Sequence, residues 1–247
     1  MLELLDIVGE EMRSPASDAV HAIAAAARDR HPGTLAVLFY GSCLRSGSDE
    51  GGLVDLYLLV KSYRQAHRNP LSALGNRLLP PNVYYIETAF EGRTVRAKYA
   101  VVTLSALETL VTARTFHPYF WARFAQPTGL LWSDGEQTTG RVNKLLARAV
   151  NTLARESRPL LESYGGPQDL FIRAFAETYR TELRAEGASR AAELVAHYET
   201  RYRRLGAILL RELPNPGPRD RARAQRQWRG RRLLGKFLSV ARLTKAA

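Results

Sequence analysis

The sequence predicts an α+β protein, with a small mixed sheet under helical cover in its first half and a mainly helical second half. Two apolar runs, "TLAVLFY" and "LVDLYLLV", flank a Gly/Ser-rich connection, and "NVYYIETAF", "EGR" and "TVRAKYAVV" have the pattern of a hairpin. Beyond about Leu104, the long segments are amphipathic at a helical period. These observations place the strands before the helical part of the chain.

The individual elements follow from local signals. "SDAVHAIAAAARDRHPG" has a Ser/Asp start, an Ala-rich middle and a Pro-Gly stop, which predicts a helix from about Asp18 to Arg30. The later helices are predicted in "LSALETLVTA", "RVNKLLARAVNTLARE", "DLFIRAFAETYRTELRA" and "AAELVAHYETRYRRLGAILLREL". "PNPGPRDR" at 214–221 cannot continue a helix and predicts a hinge. We therefore expect a sheet domain over residues 1–112, a mainly helical domain over 113–213, and a hinge with a basic tail over 214–247.

Charge is concentrated at the C-terminal end of the 247-residue chain. The net charge is +12, and residues 219–247 hold ten Lys/Arg and one Asp, a net of +9 that leaves +3 for the other 218 residues. Proteins that envelop nucleic acid usually spread positive charge over their binding face, so this distribution favours a local electrostatic anchor, and no nucleic-acid partner is expected.

Location signals point to the cytoplasm. No run approaches the 18 or so apolar residues that span a bilayer, and "MLELLDIVGEEMRSP" lacks the pattern of a secretory signal. The single Cys43 excludes an internal disulfide framework and is compatible with a reducing compartment. We expect a cytoplasmic protein that does not cross a membrane.

The stretch "FYGSCLRSGSDEGGLVDLYLLV" carries the strongest chemical signal. A glycine after a strand lets backbone amides approach a ligand closely, and Ser42 adds a hydroxyl donor, so the corner at Gly41 suits phosphate oxygens. Asp55 lies between Val54 and Leu56, where a carboxylate is costly unless it is paired, solvated at a sheet edge or bound to a metal. An ion pair with a neighbouring Arg or Lys is the structural alternative to a metal site.

Together these elements resemble the signature of the nucleotidyltransferase superfamily that includes DNA polymerase beta. There a Gly-Ser corner is followed some ten residues later by Asp-hydrophobic-Asp/Glu, whereas this chain has Tyr57 in place of the second carboxylate. Five motifs follow one another in the order "YGSCLRSG", "VDLYLLV", "AHRNPLSAL", "NVYYIETAFEGRTVRAKYAVVTLSAL" and "YFWARFAQPTGLLW". In this order they resemble the mitochondrial-type phosphatidate cytidylyltransferases, a CDP-diacylglycerol synthase family in which the aspartate is followed by two apolar residues.

This resemblance covers about residues 35–132 and continues weakly through "DLFIRAFAETYRTELRAE" and "LLGKFLSVARL". The chain departs from the family in a shorter loop after "AHRNP", which lacks a His-Tyr-Ser run, and in "RFAQP". The resemblance implies a nucleotidyltransferase-like mixed sheet with helices, then a mainly helical domain, with a winged-helix element as one option, and a C-terminal amphipathic helix. It also implies an Mg²⁺-dependent enzyme that converts CTP and phosphatidic acid into CDP-diacylglycerol and pyrophosphate in phospholipid biosynthesis.

The family chemistry assigns roles to residues of the first half. Asp55 is the expected catalytic Mg²⁺ ligand, and Gly41 and Ser42 are expected to hold the CTP triphosphate. Strand alternation puts Arg96 and Lys98 on one face, and the family match favours Lys98 as the catalytic and nucleotide-binding cation.

Two further assignments concern the second metal ligand and the acceptor. Glu87 is the candidate second ligand, with Asp49 and Glu50 as alternatives. Arg123 is the candidate for the phosphatidate phosphate, because a guanidinium binds phosphate bidentately. Each candidate also has a structural reading: an exposed strand position for Glu87 and Lys98, and a surface ion pair for Arg123. His67, the one histidine in a family-like segment, is expected to be structural.

The C-terminal segment "WRGRRLLGKFLSVARLTKAA" has the pattern of a basic amphipathic helix. Its apolar side is predicted to hold Leu233, Leu234, Phe237, Leu238, Val240 and Ala241, and its basic side Arg231, Arg232, Arg242 and Lys245. Such a helix can lie in the interfacial region of an anionic membrane, so the resemblance implies a peripheral enzyme on the inner face of the membrane. A helix packed on the body and a nucleic-acid arm are the alternatives.

Two other functions remain open on the sequence. The first is a nucleotidyltransferase of the same fold with another acceptor, such as tRNA, a protein hydroxyl or a small antibiotic. The second is a binding module with an inactive site that uses its basic tail on RNA or a membrane.

Overall fold

The computed structural model describes residues 2–67, 69–78, 80–161, 165–182 and 187–246, and for 187, 188 and 237–246 it describes the helix backbone alone. The strands are β1 (Thr34–Tyr40), β2 (Leu53–Val60), β3 (Asn82–Phe90), β4 (Arg93–Thr103) and β5 (Gly129–Ser133). The helices are α1 (Leu2–Met12), α2 (Asp18–Asp29), α3 (Ser42–Ser46), α4 (Tyr63–Ala66), α5 (Pro70–Leu78), α6 (Leu104–Leu110), α7 (Tyr119–Phe124), α8 (Glu136–Ser157), α9 (Pro167–Tyr179), α10 (Gly187–His197), α11 (Glu199–Glu212) and α12 (Pro218–Ala246).

The strands form one five-stranded mixed sheet in the order β3-β4-β2-β1-β5. β2 and β4 are parallel neighbours, and the other pairs are antiparallel. The predicted α+β class, the four strands and the hairpin with its turn at Glu91 and Gly92 are confirmed. β5 lies beyond the predicted domain boundary at residue 112 and yet is hydrogen-bonded to β1, so the sheet draws on both predicted domains.

Each face of the sheet is covered by a separate apolar core. On β2, Leu56 and Leu58 face a core that includes Ile23 of α2, because side chains alternate along a strand. Tyr57 and Leu59 face the opposite core, which α1 and the helices from α6 onward complete. Asp55 is therefore on the face that the second half of the chain covers.

The helical half confirms the predicted amphipathic segments with one correction. The segment predicted as a single helix over "AAELVAHYETRYRRLGAILLREL" is two helices, α10 and α11, which meet at Tyr198. The N-terminal helix α1 is not among the predicted elements, and it buries Leu4, Ile7 and Val8. The winged-helix element stays a prediction.

The start of the C-terminal helix packs on the body of the protein. The predicted break is observed between α11 and α12, which begins at Pro218. Trp228 is 1% exposed, and its indole N–H donates to the carbonyl of Glu156 at 2.9 Å. Arg231 was placed on the basic side of a membrane-facing tail, and this is wrong: its side chain is buried, because it pairs with the Glu156 carboxylate and contacts aromatic rings.

Two buried arginines hold α7 from both ends. Arg231 Nε donates to the carbonyl of Phe116, before the helix, at 3.0 Å. Arg201 Nη1 donates to the carbonyl of Ala125, directly after it, at 2.9 Å, and its guanidinium also pairs with Glu11 of α1. The short helix α7 thus depends on α11 and α12 for its position.

No helix in the described part of the chain combines the length and the apolar character that crossing a membrane requires.

Candidate functional site

The Gly-Ser corner lies directly against the Asp55 carboxylate. Tyr40, the last residue of β1, is paired in register with Asp55 of β2, and Gly41 follows with φ +89° and ψ −154°. A Cβ added at Gly41 would collide with Asp55 Oδ2, well inside the 3.0 Å below which real Cβ atoms essentially never approach another heavy atom. Glycine is therefore required here both for its backbone conformation and for this close approach.

Asp55 forms an ion pair with Lys98. The two residues are paired in register on the parallel strands β2 and β4, and Lys98 Nζ is 3.2 Å from Asp55 Oδ1. The side chain of Lys98 is 48% exposed and that of Asp55 is 19% exposed, so the pair is reachable from solvent. The structure brings these two predicted site residues together, and the ion pair is also what the structural alternative for Asp55 required.

Three tyrosines and Arg123 form a layer behind this pair. The Arg123 guanidinium lies over the ring of Tyr40, 4.9 Å from its centroid, and Tyr57 and Tyr119 share a hydroxyl–hydroxyl hydrogen bond of 3.2 Å. Burial raises the pKa of Tyr40, while the charge of Arg123 opposes that rise and the charge of Asp55 adds to it. Tyr40 is thus the common neighbour of Asp55 and Arg123.

The charge on Arg123 is retained despite its surroundings. Burial works to lower the pKa of Arg123, but Tyr40, Tyr119, Tyr57 and the Glu182 carboxylate outweigh it, so the pKa is raised above its usual value. A charged guanidinium next to the Asp55 layer can bind a phosphate oxygen.

Tyr57 occupies the strand position where the wider superfamily has its second carboxylate. Its side chain is fully buried, with its ring 4.9 Å from that of Phe124 and 5.2 Å from that of Tyr40. The aromatic side chain therefore fills this position with packing and leaves no second carboxylate beside Asp55 on β2.

Two of the other proposed metal ligands, Glu87 and Asp49, are engaged elsewhere. Glu87 lies on β3, so that β4 stands between it and β2, and it pairs with Arg96 at 3.1 Å. Asp49 is buried, accepts a hydrogen bond of 2.7 Å from Ser17 and pairs with Arg93 at 2.6 Å. Burial works to raise the pKa of Asp49, and these two partners outweigh it, so the pKa lies below its usual value. Neither carboxylate is next to Asp55, and the second-ligand role stays a prediction.

At the Asp55 site, strand β2 supplies a magnesium ion with one carboxylate. Among the described residues, no group of three or more His, Cys, Asp and Glu side chains is close enough to hold a metal. Mg²⁺ keeps several waters and takes phosphate oxygens of a substrate as ligands. Asp55, next to a backbone corner that a Cβ would obstruct, therefore fits this ion as one ligand in company with a nucleotide's phosphates.

Two grooves lie near the site, one at the Gly41–Ser42 corner and one beside the following loop, and neither is lined by Asp55 or Lys98. One, of about 430 Å³, is lined by Ser42, Cys43, Arg45, Ser46, Ser48, Glu50, Gly52 and His197. The other, of about 200 Å³, is lined by Asp49, Glu50, Gly51, Gly52, Arg93, Thr94 and Arg96. Ser42 is exposed at the rim of the larger groove, and Asp55 lies at an open part of the sheet.

His67 lies in a hydrogen-bonded network apart from the Asp55 layer. It is 8% exposed, and its ring contacts Asn76 at 3.0 Å and the Tyr84 hydroxyl at 3.2 Å. Tyr84 stacks on Tyr99, which belongs to the core on the opposite face of the sheet from Asp55. This location agrees with the structural role expected for His67.

Sequence reasoning missed Tyr40, Tyr119 and Glu182 as neighbours of the site. Tyr40 directly precedes Gly41, and Tyr119 lies four residues before Arg123, so adjacency to predicted residues was the one available signal. Glu182 carried no local signal, since only the packing of the helical half brings it near Arg123.

No family model matches the chain, and a search of curated proteins found no match either.

Replacing Gly41 with alanine tests the close approach of the corner to Asp55. We expect the free energy of unfolding to fall by roughly 1–3 kcal/mol, because alanine is strained at this φ and its Cβ displaces the carboxylate. Chemical denaturation measures the loss. Gly47→Ala is the matched control, since Gly47 also has a positive φ, +69°, but has open space around it. Equal losses in the two variants would contradict the required contact between position 41 and Asp55.

Proposed function

We propose that the protein is a nucleotidyltransferase that transfers a cytidylyl group from CTP to phosphatidic acid, forming CDP-diacylglycerol and pyrophosphate. The observation that carries the proposal is the contact between the backbone of Gly41 and the carboxylate of Asp55, with the Lys98 amine 3.2 Å from that carboxylate. The resemblance of the ordered motifs over residues 35–132 supplies the choice of CTP and phosphatidic acid.

The reaction joins two anions. An oxygen of the phosphatidate phosphate forms a bond to the α-phosphorus of CTP, while the bond from that phosphorus to the β-phosphate breaks and pyrophosphate leaves. Catalysis of such a transfer is mainly alignment and neutralisation of charge. Mg²⁺, held by Asp55 and by phosphate oxygens, would supply part of that neutralisation.

The protein's own groups supply the rest. Because position 41 has no side chain, the corner lies directly against Asp55, and the exposed Ser42 next to it is the proposed contact for the triphosphate. Lys98, half exposed next to Asp55, is suited to turn its amine from the carboxylate to a phosphate oxygen when nucleotide binds. Arg123, held charged behind Tyr40, is the candidate for the phosphate of the acceptor.

A lipid acceptor requires access to a membrane. On α12, the exposed side chains next to the docked part of the helix include Leu233, Leu234 and Lys236, which suit an anionic interface. The remaining predicted members of the amphipathic face, Phe237, Leu238, Val240, Ala241, Arg242 and Lys245, have side chains outside the described residues. We therefore propose peripheral association in which the exposed side chains of α12 beyond Arg231 contact the membrane, while Gly235 on the same helix stays packed against Thr181.

Pyrophosphate release tests this function directly. We expect release from CTP and Mg²⁺ in mixed micelles that contain phosphatidic acid, and none when phosphatidic acid is omitted. Replacing CTP with ATP in the same micelles checks the nucleotide, and recovery of CDP-diacylglycerol checks the acceptor. If a folded protein that binds micelles shows no phosphatidate-dependent release, the proposal of phosphatidic acid as the acceptor is wrong. The alternative acceptors for the same fold, such as tRNA, a protein hydroxyl or a small antibiotic, are then tested.

A further inference from the structure

Helix α5 presents a stripe of exposed leucines. Leu71, Leu74 and Leu78 are 75%, 53% and 74% exposed. At about 100° per residue, the three side chains fall within an arc of roughly 60° on one side of the helix. Isolated exposed apolar residues are ordinary, but three on one short arc form a directed apolar face.

A buried asparagine fixes the direction of this face. Asn76, on the opposite side of α5, is fully buried, and its side-chain amide donates to the carbonyl of Val101 at 3.1 Å and contacts His67 at 3.0 Å. Its carbonyl oxygen accepts the backbone N–H of Asn82 at 2.8 Å. Because these bonds hold the inner side of α5 to the sheet, the leucine stripe points away from the body in a defined orientation.

In the stretch of sequence that contains the stripe, every charged side chain is a cation, and the first acidic side chain after it is Glu87 on β3, which accepts from the Tyr85 hydroxyl and pairs with Arg96. Residues 61–86 contain no Asp or Glu, and their four cations are Lys61, Arg64, Arg68 and Arg77. Lys61, Arg64 and Arg77 are exposed, and Arg77 belongs to α5 itself. An apolar stripe flanked by cations without acidic residues is complementary to an anionic bilayer. A second copy of this segment would bring like charges together.

The stripe is also linked to the candidate site. α5 leads into β3, where Val83 and Tyr85 are 49% and 53% exposed. Tyr85 is paired in register with Lys98 on the neighbouring strand, so its side chain is on the same sheet face as the Asp55–Lys98 pair. The exposed side chain of Tyr85 on β3 therefore borders the site, whereas Asn76 holds α5 to the His67 network of the opposite sheet face.

We infer that α5 is a second membrane contact, in which Leu71, Leu74 and Leu78 enter the interfacial region of an anionic bilayer while Arg64 and Arg77 contact its headgroups. The choice of a lipid partner rests on the proposed function. This contact is independent of α12 and brings the sheet edge next to Lys98 to the membrane surface, where a phosphatidate headgroup is presented.

Co-sedimentation with vesicles tests the inference without any chemistry. The full chain is mixed with vesicles of phosphatidylglycerol and phosphatidylcholine that contain no phosphatidic acid. The variant Leu71→Gln/Leu74→Gln/Leu78→Gln is expected to lower the partition coefficient at least about tenfold, because three leucines no longer leave water. Leu2→Gln, at a leucine 78% exposed on α1, is the matched control and is expected to bind like the parent.

A second measurement locates the stripe itself. Leu74→Cys carries an environment-sensitive fluorophore, and Cys43 is buried, so the label goes to the introduced thiol. We expect a blue shift on addition of anionic vesicles, and none for the same label at Leu2→Cys. Unchanged vesicle binding by the triple variant, or an unshifted label, overturns the inference. The stripe would instead be assigned to contact with a second copy of the chain by three results together. The parent would be a dimer, the triple variant would be a monomer, and the two would bind vesicles equally.

The two proposals fail separately. The triple variant is assayed in parallel for pyrophosphate release in detergent micelles that contain phosphatidic acid. Reduced vesicle binding with retained micellar turnover supports the membrane contact. Stripe-dependent vesicle binding by a parent with no turnover would leave the contact standing and remove the proposed reaction.

Discussion

Asp55→Asn is expected to lower the rate of phosphatidate-dependent pyrophosphate release by at least about 10²–10³-fold, the usual cost of removing one preorganised electrostatic group from a transfer site. Asparagine keeps the shape of the side chain next to Gly41 and removes only its charge. Lys98 loses its partner but is 48% exposed, so the fold should tolerate the change. Initial rates at saturating CTP, together with the unfolding midpoint, measure the two effects separately.

The matched control is another carboxylate in an exposed ion pair. Glu108 pairs with Arg141 at 3.0 Å on the helical surface, and Glu108→Gln should leave the rate unchanged. If Asp55 is only the structural partner of Lys98, Asp55→Asn will behave like Glu108→Gln, and its assignment as a catalytic residue will be wrong.

Glu87→Gln in the same assay tests Glu87 as the second metal ligand. A loss of rate comparable to that of Asp55→Asn would require Glu87 to leave Arg96 and reach the metal.

The sheet could be predicted because its strands are encoded locally. β1 and β2 are mainly apolar runs joined by a Gly/Ser-rich connection, and the hairpin has its turn residues Glu91 and Gly92 in place. β5 was missed because "GLLWS" is short and its partner β1 lies about ninety residues earlier in the chain. Periodicity reports the local environment of a strand and says nothing about a distant neighbour.

The candidate site divides in the same way. Gly41 and Asp55 were predicted from a local corner and strand, and Lys98 from strand alternation together with the family match, whereas the parallel pairing of β2 with β4 that places Asp55 opposite Lys98 comes from the structure. Glu87 also lies on a strand, but strand alternation gives only its face, and the sheet order puts β4 between it and Asp55. The strand order depends on the crossover from β2 through α4, α5 and β3 to β4, which no local pattern encodes.

In the C-terminal tail, composition predicts an exposed Arg231, whereas the structure buries it. Arg231 belongs to a segment so rich in arginine that composition alone favours a solvated or membrane-facing side chain. In the structure, the Arg231 guanidinium lies against the rings of Trp121 and Trp228 and pairs with the Glu156 carboxylate. Trp121 and Glu156 are far from Arg231 in the sequence, so composition does not reveal this environment. A buried arginine is identified by its partners, and those partners come from three different helices.

Arg231→Met is expected to reduce the free energy of unfolding by about 3 kcal/mol, since breaking one side of a buried ion pair leaves the other charge without compensation. The side chain of Arg231 is 4% exposed and that of Glu156 is 20% exposed, so solvent can replace little of the lost interaction. Chemical denaturation measures the loss. Arg229→Met, at an exposed arginine two residues away on the same helix, should change the stability by no more than about 0.5 kcal/mol.

Arg231→Met also tests whether Arg231 is a buried residue that holds α7, here called the clamp, or a residue that contacts a membrane. Arg231→Met/Glu156→Leu removes both charges and should recover about 1–2 kcal/mol relative to Arg231→Met, because no unpaired carboxylate remains. Binding of Arg231→Met to anionic vesicles should equal that of the parent under conditions where the variant is folded. A variant as stable as the parent that binds vesicles weakly would return Arg231 to the membrane-facing side.

Loss of the clamp should also reach the site through α7. Arg231 holds the carbonyl of Phe116 at the start of this helix, and Arg123 lies near its end. If Arg123 binds the acceptor phosphate, loosening α7 raises the KM for phosphatidate more than the KM for CTP, because Gly41, Asp55 and Lys98 are held by the sheet rather than by α7. An equal rise in both constants would mean that the clamp stabilises the whole fold without selectively positioning Arg123.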